Sequence, residues 1–358
     1  MMKQYKITII WGTDGFGKWL AKYAAKHFST YISELTVTGR SSEKWQQLIE
    51  EMRSESVRFM SDNIIAVQWA DIVIYSVPIS KTQEVIETTL PYIKPWAVVA
   101  DVTSIKAFVS RTMQMRDDIV VIPTHPMFGP YIQTIAGQVI VLTGDEKTKN
   151  TLSYQALKSY LSTERAKVVE VTPKEHDRMM AVVQWLTHLN MFVIGETMKR
   201  LNFHIGESMN FISPIYKIMI SSVGRYLGQN PQLYADIQMH NEEVLEVHEA
   251  FLETAKNFHS SVSTKDATKF ITDVEQAKNY IGTEYCEEGQ RYTDKIIYMI
   301  GRQQEILKNN IWKKIFLRDI SSWELIEGEL EKYENRKIFL KSWDIYMIDQ
   351  YEIIESNH

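Results

Sequence analysis

Short runs rich in β-branched residues alternate with amphipathic helical stretches through the first half of the chain, at residues 7–11, 35–38, 71–77, 97–102, 119–123, 139–142 and 167–171. Apolar runs of strand length separated by stretches of period 3.6 are the rhythm of βαβ units, so this half predicts a parallel, doubly wound sheet. After Pro173 the pattern changes. Residues 174–302 carry Met, Leu and Ile at helical spacing, with breaks at Gly206, Pro214, 228–231 and Gly282, and predict an all-helical domain. Beyond Trp312, residues 314–317, 337–340 and 345–348 read as short strands around a Glu-rich helix over 322–332. The expected organisation is an α/β domain over 1–172, a helical domain over 173–311 and a short C-terminal α/β extension over 312–358.

The length, 358 residues, suffices for two domains with cores of their own. A net charge of −5, with acids and bases interspersed, argues against nucleic acid or an anionic membrane as the main partner. Any anionic substrate must then be captured by local cations. The single cysteine, Cys286, excludes an intrachain disulfide, and no His or Cys cluster has zinc spacing, so no metal is expected. No apolar run is long enough to span a membrane, and a strand pattern under way by Ile7 leaves no room for a cleavable leader. A soluble, cytoplasmic protein is the expectation.

Gly12-Thr13-Asp14-Gly15-Phe16-Gly17 follows the first strand directly and leads into a helix. A dinucleotide's pyrophosphate needs that context, because small residues let backbone N–H groups and the helix N-terminus approach it. The usual G-x-G-x-x-G spacing puts Asp14 where the middle glycine would be. A carboxylate facing pyrophosphate is repulsive, so Asp14 is expected to cap the helix while Gly15 supplies the close approach. At the end of the second strand, Thr38-Gly39-Arg40-Ser41-Ser42 has no acid for a ribose 2′-hydroxyl. An arginine and hydroxyls suit a 2′-phosphate, so NADP is expected ahead of NAD, unless Arg40 is merely a solvated loop residue. Ser76-Val77-Pro78 ends a later strand on the same side, as a cofactor crevice or simply a strand-ending proline. The α/β half therefore reads as a Rossmann-type domain.

Candidate chemistry lies further along. His125-Pro126-Met127-Phe128-Gly129-Pro130 puts an imidazole at the head of a turn fixed by two prolines, as a catalytic base or as a polar loop residue. Asp101-Val-Thr-Ser104-Ile-Lys106 follows a strand and presents Ser104 at the same sheet edge. That hydroxyl can hold an imidazole or a substrate alcohol, or cap a helix, while Lys106 can neutralise an anion. Gln184, Thr187 and His188 fall on one helical face, lining a cleft or satisfied in a core. On one continuous helix His176 and His188 would stand about 18 Å apart, so they cannot share a metal.

The ordered set of motifs resembles the prephenate dehydrogenase family, which includes arogenate dehydrogenases. It comprises Asp101-x-x-Ser104-x-Lys106, His125–Pro130, Glu175-His176-Asp177 leading to Gln184 and His188, Ser213-Pro-Ile-Tyr216, and residues 224–236 around Arg225. The resemblance implies a Rossmann domain followed by a helical dimerisation domain, a homodimer, and an active site between the domains. It implies that His125 takes the proton of the substrate's 4-hydroxyl, that Ser104 bonds the same region, and that Arg225 clamps a substrate carboxylate. Gln184 and His188 match cleft positions.

The implied reaction suits these residue types: removal of hydride from a cyclohexadienol while an imidazole accepts the hydroxyl proton leaves a dienone that loses CO2 and becomes aromatic. A base of this kind is needed neutral, which puts an expected acid limb of kcat/KM at about 6 to 7. No N-terminal chorismate mutase is expected ahead of Ile7, and the tail is short for a regulatory ACT domain. A hydroxyacid-type dehydrogenase would use a lysine in the helical domain rather than the His125 turn. A non-catalytic NADP sensor would not need Ser104, His125 and Arg225 together.

Overall fold

The computed structural model describes residues 4–52, 57–320, 322–334 and 336–355. Strands β1 (Tyr5–Ile10), β2 (Ile32–Thr38), β3 (Val57–Met60), β4 (Ile72–Tyr75), β5 (Val98–Asp101), β6 (Val120–Pro126), β7 (Val139–Leu142) and β8 (Lys167–Glu170) form one eight-stranded sheet. Its order is β3-β2-β1-β4-β5-β6-β7-β8. Helices α1 (Gly15–His27), α2 (Ser42–Met52), α3 (Asn63–Gln68), α4 (Ile79–Thr89), α5 (Ala107–Met113), α6 (Glu146–Lys149) and α7 (Leu152–Thr163) connect the strands. Adjacent strand residues feed opposite faces: Ile9 packs with Ala21 and Leu48, whereas Ile10 packs with Ile86 and Val109. Burial on both faces is what makes β4, β5 and β7 nearly continuous apolar runs.

Two features of the sheet depart from the pattern read along the chain. β3, a four-residue strand, has no alternation to announce it, yet pairs in parallel with β2. More consequentially, β7 runs antiparallel to β6, pairing Thr124 with Leu142, His125 with Val141 and Pro126 with Ile140. Parallel pairing with β5 ends at Pro123, so it is β7 that extends β6 over His125. The imidazole therefore projects from a strand end, and the proline turn begins after it.

After β8 the described elements are helical as far as Asn309: α8 (Pro173–Met180), α9 (Thr187–Arg200), α10 (Ile205–Ser208), α11 (Pro214–Leu227), α12 (Pro231–Met239), α13 (Val244–Ser263), α14 (Ala267–Ile281) and α15 (Thr283–Asn309). Local chemistry sets the boundaries: Thr172 and Glu175 form a reciprocal capping box, and Asn230 caps α12 with Pro231 in its first turn. Gly282, at φ 97, separates α14 from α15. Gly206, expected as a break, lies within the one-turn α10. Between α8 and α9, Ala181–Leu186 form a π turn.

The C-terminal segment is a small antiparallel sheet of β9 (Lys314–Asp319), β10 (Leu325–Glu334), β11 (Lys337–Leu340), β12 (Ile345–Met347) and β13 (Tyr351–Glu355), in the order β12-β11-β10-β9-β13. The helix expected over 322–332 is instead strand β10. Its glutamates favour a helix, but Ile326 and Leu330 turn inward at even spacing onto Ile315, Leu317, Ile338 and Leu340, and burial overrides propensity. This part is therefore a β-sheet rather than an α/β appendage.

Compactness divides the chain differently from element type. One unit holds residues up to Phe203 together with Ser222–Phe251; the other holds His204–Ser221 and the residues from Leu252 onward. Every residue singled out for chemistry falls in the first unit.

Candidate active site

Strand order reverses between β1 and β4, and a sheet of this kind receives ligands beyond the carboxyl ends of the strands at that point. The turn after β1 is built for close packing. A Cβ on Gly17 would fall 2.3 Å from the Trp11 carbonyl oxygen and one on Gly12 2.8 Å from Val37 Cγ1, so neither position admits a larger residue without a shift. Thr13 is buried against Gly39. Asp14, in extended conformation, caps α1 by accepting the Gly15 N–H at 2.8 Å. Gly15 has φ +50 and open space around it, which leaves its backbone accessible. Phe16 packs 5.7 Å from Phe128, joining this turn to the segment after His125.

At the tip of β2 the Arg40 guanidinium lies 4.7 Å above the Trp11 ring, and Ser41 Oγ accepts the Lys44 N–H at 3.3 Å. Trp11 itself has φ 64, a conformation costly for a bulky residue. Half-buried Ser76 follows β4, and exposed Pro78 precedes α4. These residues fit a nicotinamide dinucleotide on the chemistry of the turn alone: an accessible glycine backbone, a helix N-terminus and a basic β2 tip.

The second group is a relay of buried side chains. His125 Nδ1 lies 2.8 Å from His176 Nε2, and His176 Nδ1 lies 2.7 Å from Asp177 Oδ1. His125 is 3% exposed and His176 1%. A carboxylate only accepts, so His176 must carry its proton on Nδ1 and accept through Nε2. That makes His125 the Nδ1–H tautomer, with the lone pair on Nε2. Beside that nitrogen, at 3.4 Å, stands the Gln184 amide nitrogen. Asp177 is held in turn by the N–H groups of Lys106 and Ala107, each at 2.8 Å, so it also caps α5 from a distant part of the chain. His176 and Asp177 belong to a motif read in the sequence, but nothing local puts them against His125.

The remaining expected residues divide. Lys106 is fully buried; its ammonium pairs with Asp101 and donates to the Thr124 carbonyl at 2.6 Å. It is a structural cation and does not stand free for an anion, because desolvating it requires the buried carboxylate beside it. Half-buried Ser104 makes no hydrogen bond to His125 among the described residues, and it is not a helix cap, since α5 opens at Ala107. His188 is buried between Tyr226 and Tyr234, with ring centroids at 5.0 and 4.9 Å. Thr187, expected on the face of Gln184 and His188, is exposed and bonds back to Val183. The π turn changes the helical phase just there. Gln184 Oε1 and His188 Nδ1 are buried atoms without partners among the described residues. Arg225 is exposed with no ion pair there, close enough to Tyr234 for its charge to oppose the burial that pushes that phenol up to about 12.

Burial holds His125 well below the ordinary histidine range, with His176 and Lys106 adding to the effect. His176 is lowered by burial against the opposing pull of Asp177, and burial takes His188 down to about 4. The acid limb of kcat/KM expected at 6 to 7 is thereby corrected: for the free enzyme it should lie below that range. Stability carries the same sign. The unfolded chain protonates these histidines near 6.5 while the folded chain resists, so stability falls as pH drops through 6.5 toward the folded values. Each histidine contributes up to about 1.4 kcal/mol per pH unit within its window. Urea unfolding at pH 7, 6 and 5 should show a falling midpoint; a flat one would mean that these rings charge without opposing the fold.

A model of the prephenate dehydrogenase nucleotide-binding domain matches residues 24–170, and one of the prephenate dehydrogenase dimerization domain matches residues 172–276. A probable arogenate/prephenate dehydrogenase of Methanocaldococcus jannaschii is 40% identical over 336 residues, covering 93% of this chain and 74% of that one. The chain belongs to the prephenate dehydrogenase family. It is an NAD(P)-dependent oxidoreductase of that family. The T-protein of Haemophilus influenzae is 31% identical, over 61% of this chain and 57% of its own. Among solved structures, prephenate dehydrogenase from A. aeolicus in complex with hydroxyphenyl propionate and NAD+ has a TM-score of 0.61 at 16% identity, covering 78% of this chain and 98% of that one. Synechocystis arogenate dehydrogenase has a TM-score of 0.55 at 20% identity, covering 76% and 96%. Both share the fold of this prephenate dehydrogenase family member.

Proposed function

We propose that this enzyme oxidatively decarboxylates prephenate to 4-hydroxyphenylpyruvate, with His125 as the base. The observation that carries the reading is the tautomer relay from Asp177 through His176, which leaves the His125 Nε2 lone pair beside Gln184. The nicotinamide ring, when bound, supplies the acceptor for hydride from the ring carbinol carbon. His125 Nε2 takes the hydroxyl proton, the carbinol becomes a carbonyl, and loss of CO2 from the quaternary carbon para to it sends electrons through the ring double bonds to that oxygen, giving an aromatic phenolate. The proton then returns to the phenolate oxygen, so the step releases none. Ser104 holds the same hydroxyl region, Arg225 clamps a carboxylate, and Gln184 and His188 line the cleft with their unpartnered atoms. Prephenate is the substrate named in the matching family models.

Reduced-nicotinamide absorbance, measured with prephenate or arogenate and with NAD or NADP, tests the reading. Turnover of arogenate alone would replace the substrate, and turnover of neither would end the proposal.

NADP is the proposed cofactor, supported by Arg40 and the Ser41 and Ser42 hydroxyls at the tip of β2, where residues 38–42 carry no acid to chelate a ribose diol. Arg40→Ala should weaken NADP binding by about tenfold and leave NAD nearly untouched, since only NADP brings a 2′-phosphate to the guanidinium. Equal losses for both would mean that Arg40 shapes the loop, in keeping with its place over Trp11.

A homodimer through the helical segment is proposed as well. The dimerization-domain model ends at residue 276, and Leu252, Val262, Phe270, Ile271 and Val274 within it are exposed in the single chain. No helix among the described residues is long and apolar enough to cross a membrane, and the cytoplasm is the proposed location.

A further inference from the structure

Asp14 occupies the middle-glycine position of the dinucleotide turn, where a bare carboxylate would repel the pyrophosphate. Its two oxygens are both engaged: Oδ1 accepts the Gly15 N–H, and Oδ2 pairs with the ammonium of Lys44, in the first turn of α2. The nearby Lys18 is spent elsewhere, bonding Glu51 at 2.6 Å, and Lys22 pairs with the same glutamate. Arg40 lies over Trp11. Among the described residues Lys44 is thus the one side-chain cation paired with Asp14, and the Ser41 hydroxyl fixes the backbone that carries it.

We infer that Lys44 is the built-in counter-ion of the cofactor turn: by pairing with Asp14 it cancels the carboxylate that replaces a glycine, so that dinucleotide phosphates can approach α1. This rests on the nucleotide-binding reading above. Asp14 keeps 68% and Lys44 51% of their side chains exposed, so the pair adds little to folding and matters when an anion arrives. A lysine that merely decorates the surface would show no coupling to Asp14. One that reads the 2′-phosphate would act on NADP alone.

Calorimetric titration with NADP, NAD and ADP-ribose separates these cases across the wild type, Lys44→Met, Asp14→Asn and the double variant. Asparagine keeps the helix cap while removing the charge. Lys44→Met should weaken all three ligands by about tenfold, and adding Asp14→Asn should restore them to within about threefold of wild type. Unchanged binding in Lys44→Met, a loss confined to NADP, or a double variant as weak as Lys44→Met would each overturn the counter-ion role. Wild-type protein that bound none of the three would overturn the nucleotide reading beneath it.

Discussion

His125→Asn is expected to lose turnover by about a hundredfold to ten-thousandfold while still binding the dinucleotide, the range for removal of a general base. Asparagine can preserve some of the hydrogen bonding to His176 but offers no lone pair of imidazole basicity toward the substrate. The size of the loss follows from the relay. Asp177 sets the His176 tautomer and His176 sets that of His125, and all three side chains are buried, so no other group is aligned to accept the proton in place of the ring. Steady-state kinetics with fluorescence titration of the cofactor makes the comparison. Near-wild-type kcat would remove His125 from the mechanism.

Arg225→Ala is expected to act on binding more than on chemistry. Its proposed partner is a carboxylate present in substrate and transition state alike, so the contact is uniform. KM should rise by the equivalent of about 2–4 kcal/mol, with a smaller change in kcat, the scale of a charged hydrogen-bonded pair that loses one partner. The guanidinium has no ion pair among the described residues, so its removal should leave stability nearly unchanged. An unchanged KM would show that Arg225 does not hold the substrate. Lys106 could not then take over, because it is sealed against Asp101.

Much of the architecture is local in origin and so legible along the chain. β1, β4 and β5 hold apolar runs followed by turn or helix signals, and the glycine turn needs only its own neighbours to reveal a tight strand-to-helix passage. Asp14 reads as a helix cap from the sequence alone, because a short carboxylate beside free N–H groups has few other uses there. The family motifs likewise stand in order in the sequence. What the sequence could not supply is pairing between distant segments.

His125 lies in a strand because β7 comes back antiparallel, and strand direction is fixed by sheet contacts rather than by the residues of either strand. Lys106 looks like an anion site until Asp101 and Thr124 close over it, since burial belongs to the assembled sheet. β10 is a strand because its alternate residues meet a core built by β9 and β11, against the helical preference of its glutamates. The π turn puts Gln184 against His125 and turns Thr187 outward, a phase change that regular helical spacing does not encode. The sequence by itself determined the local elements, the cofactor turn and the presence of an imidazole near a sheet edge. The tertiary structure decided which groups surround that imidazole, because its tautomer and its charge are set by residues about fifty positions away, which only the fold brings within hydrogen-bond reach.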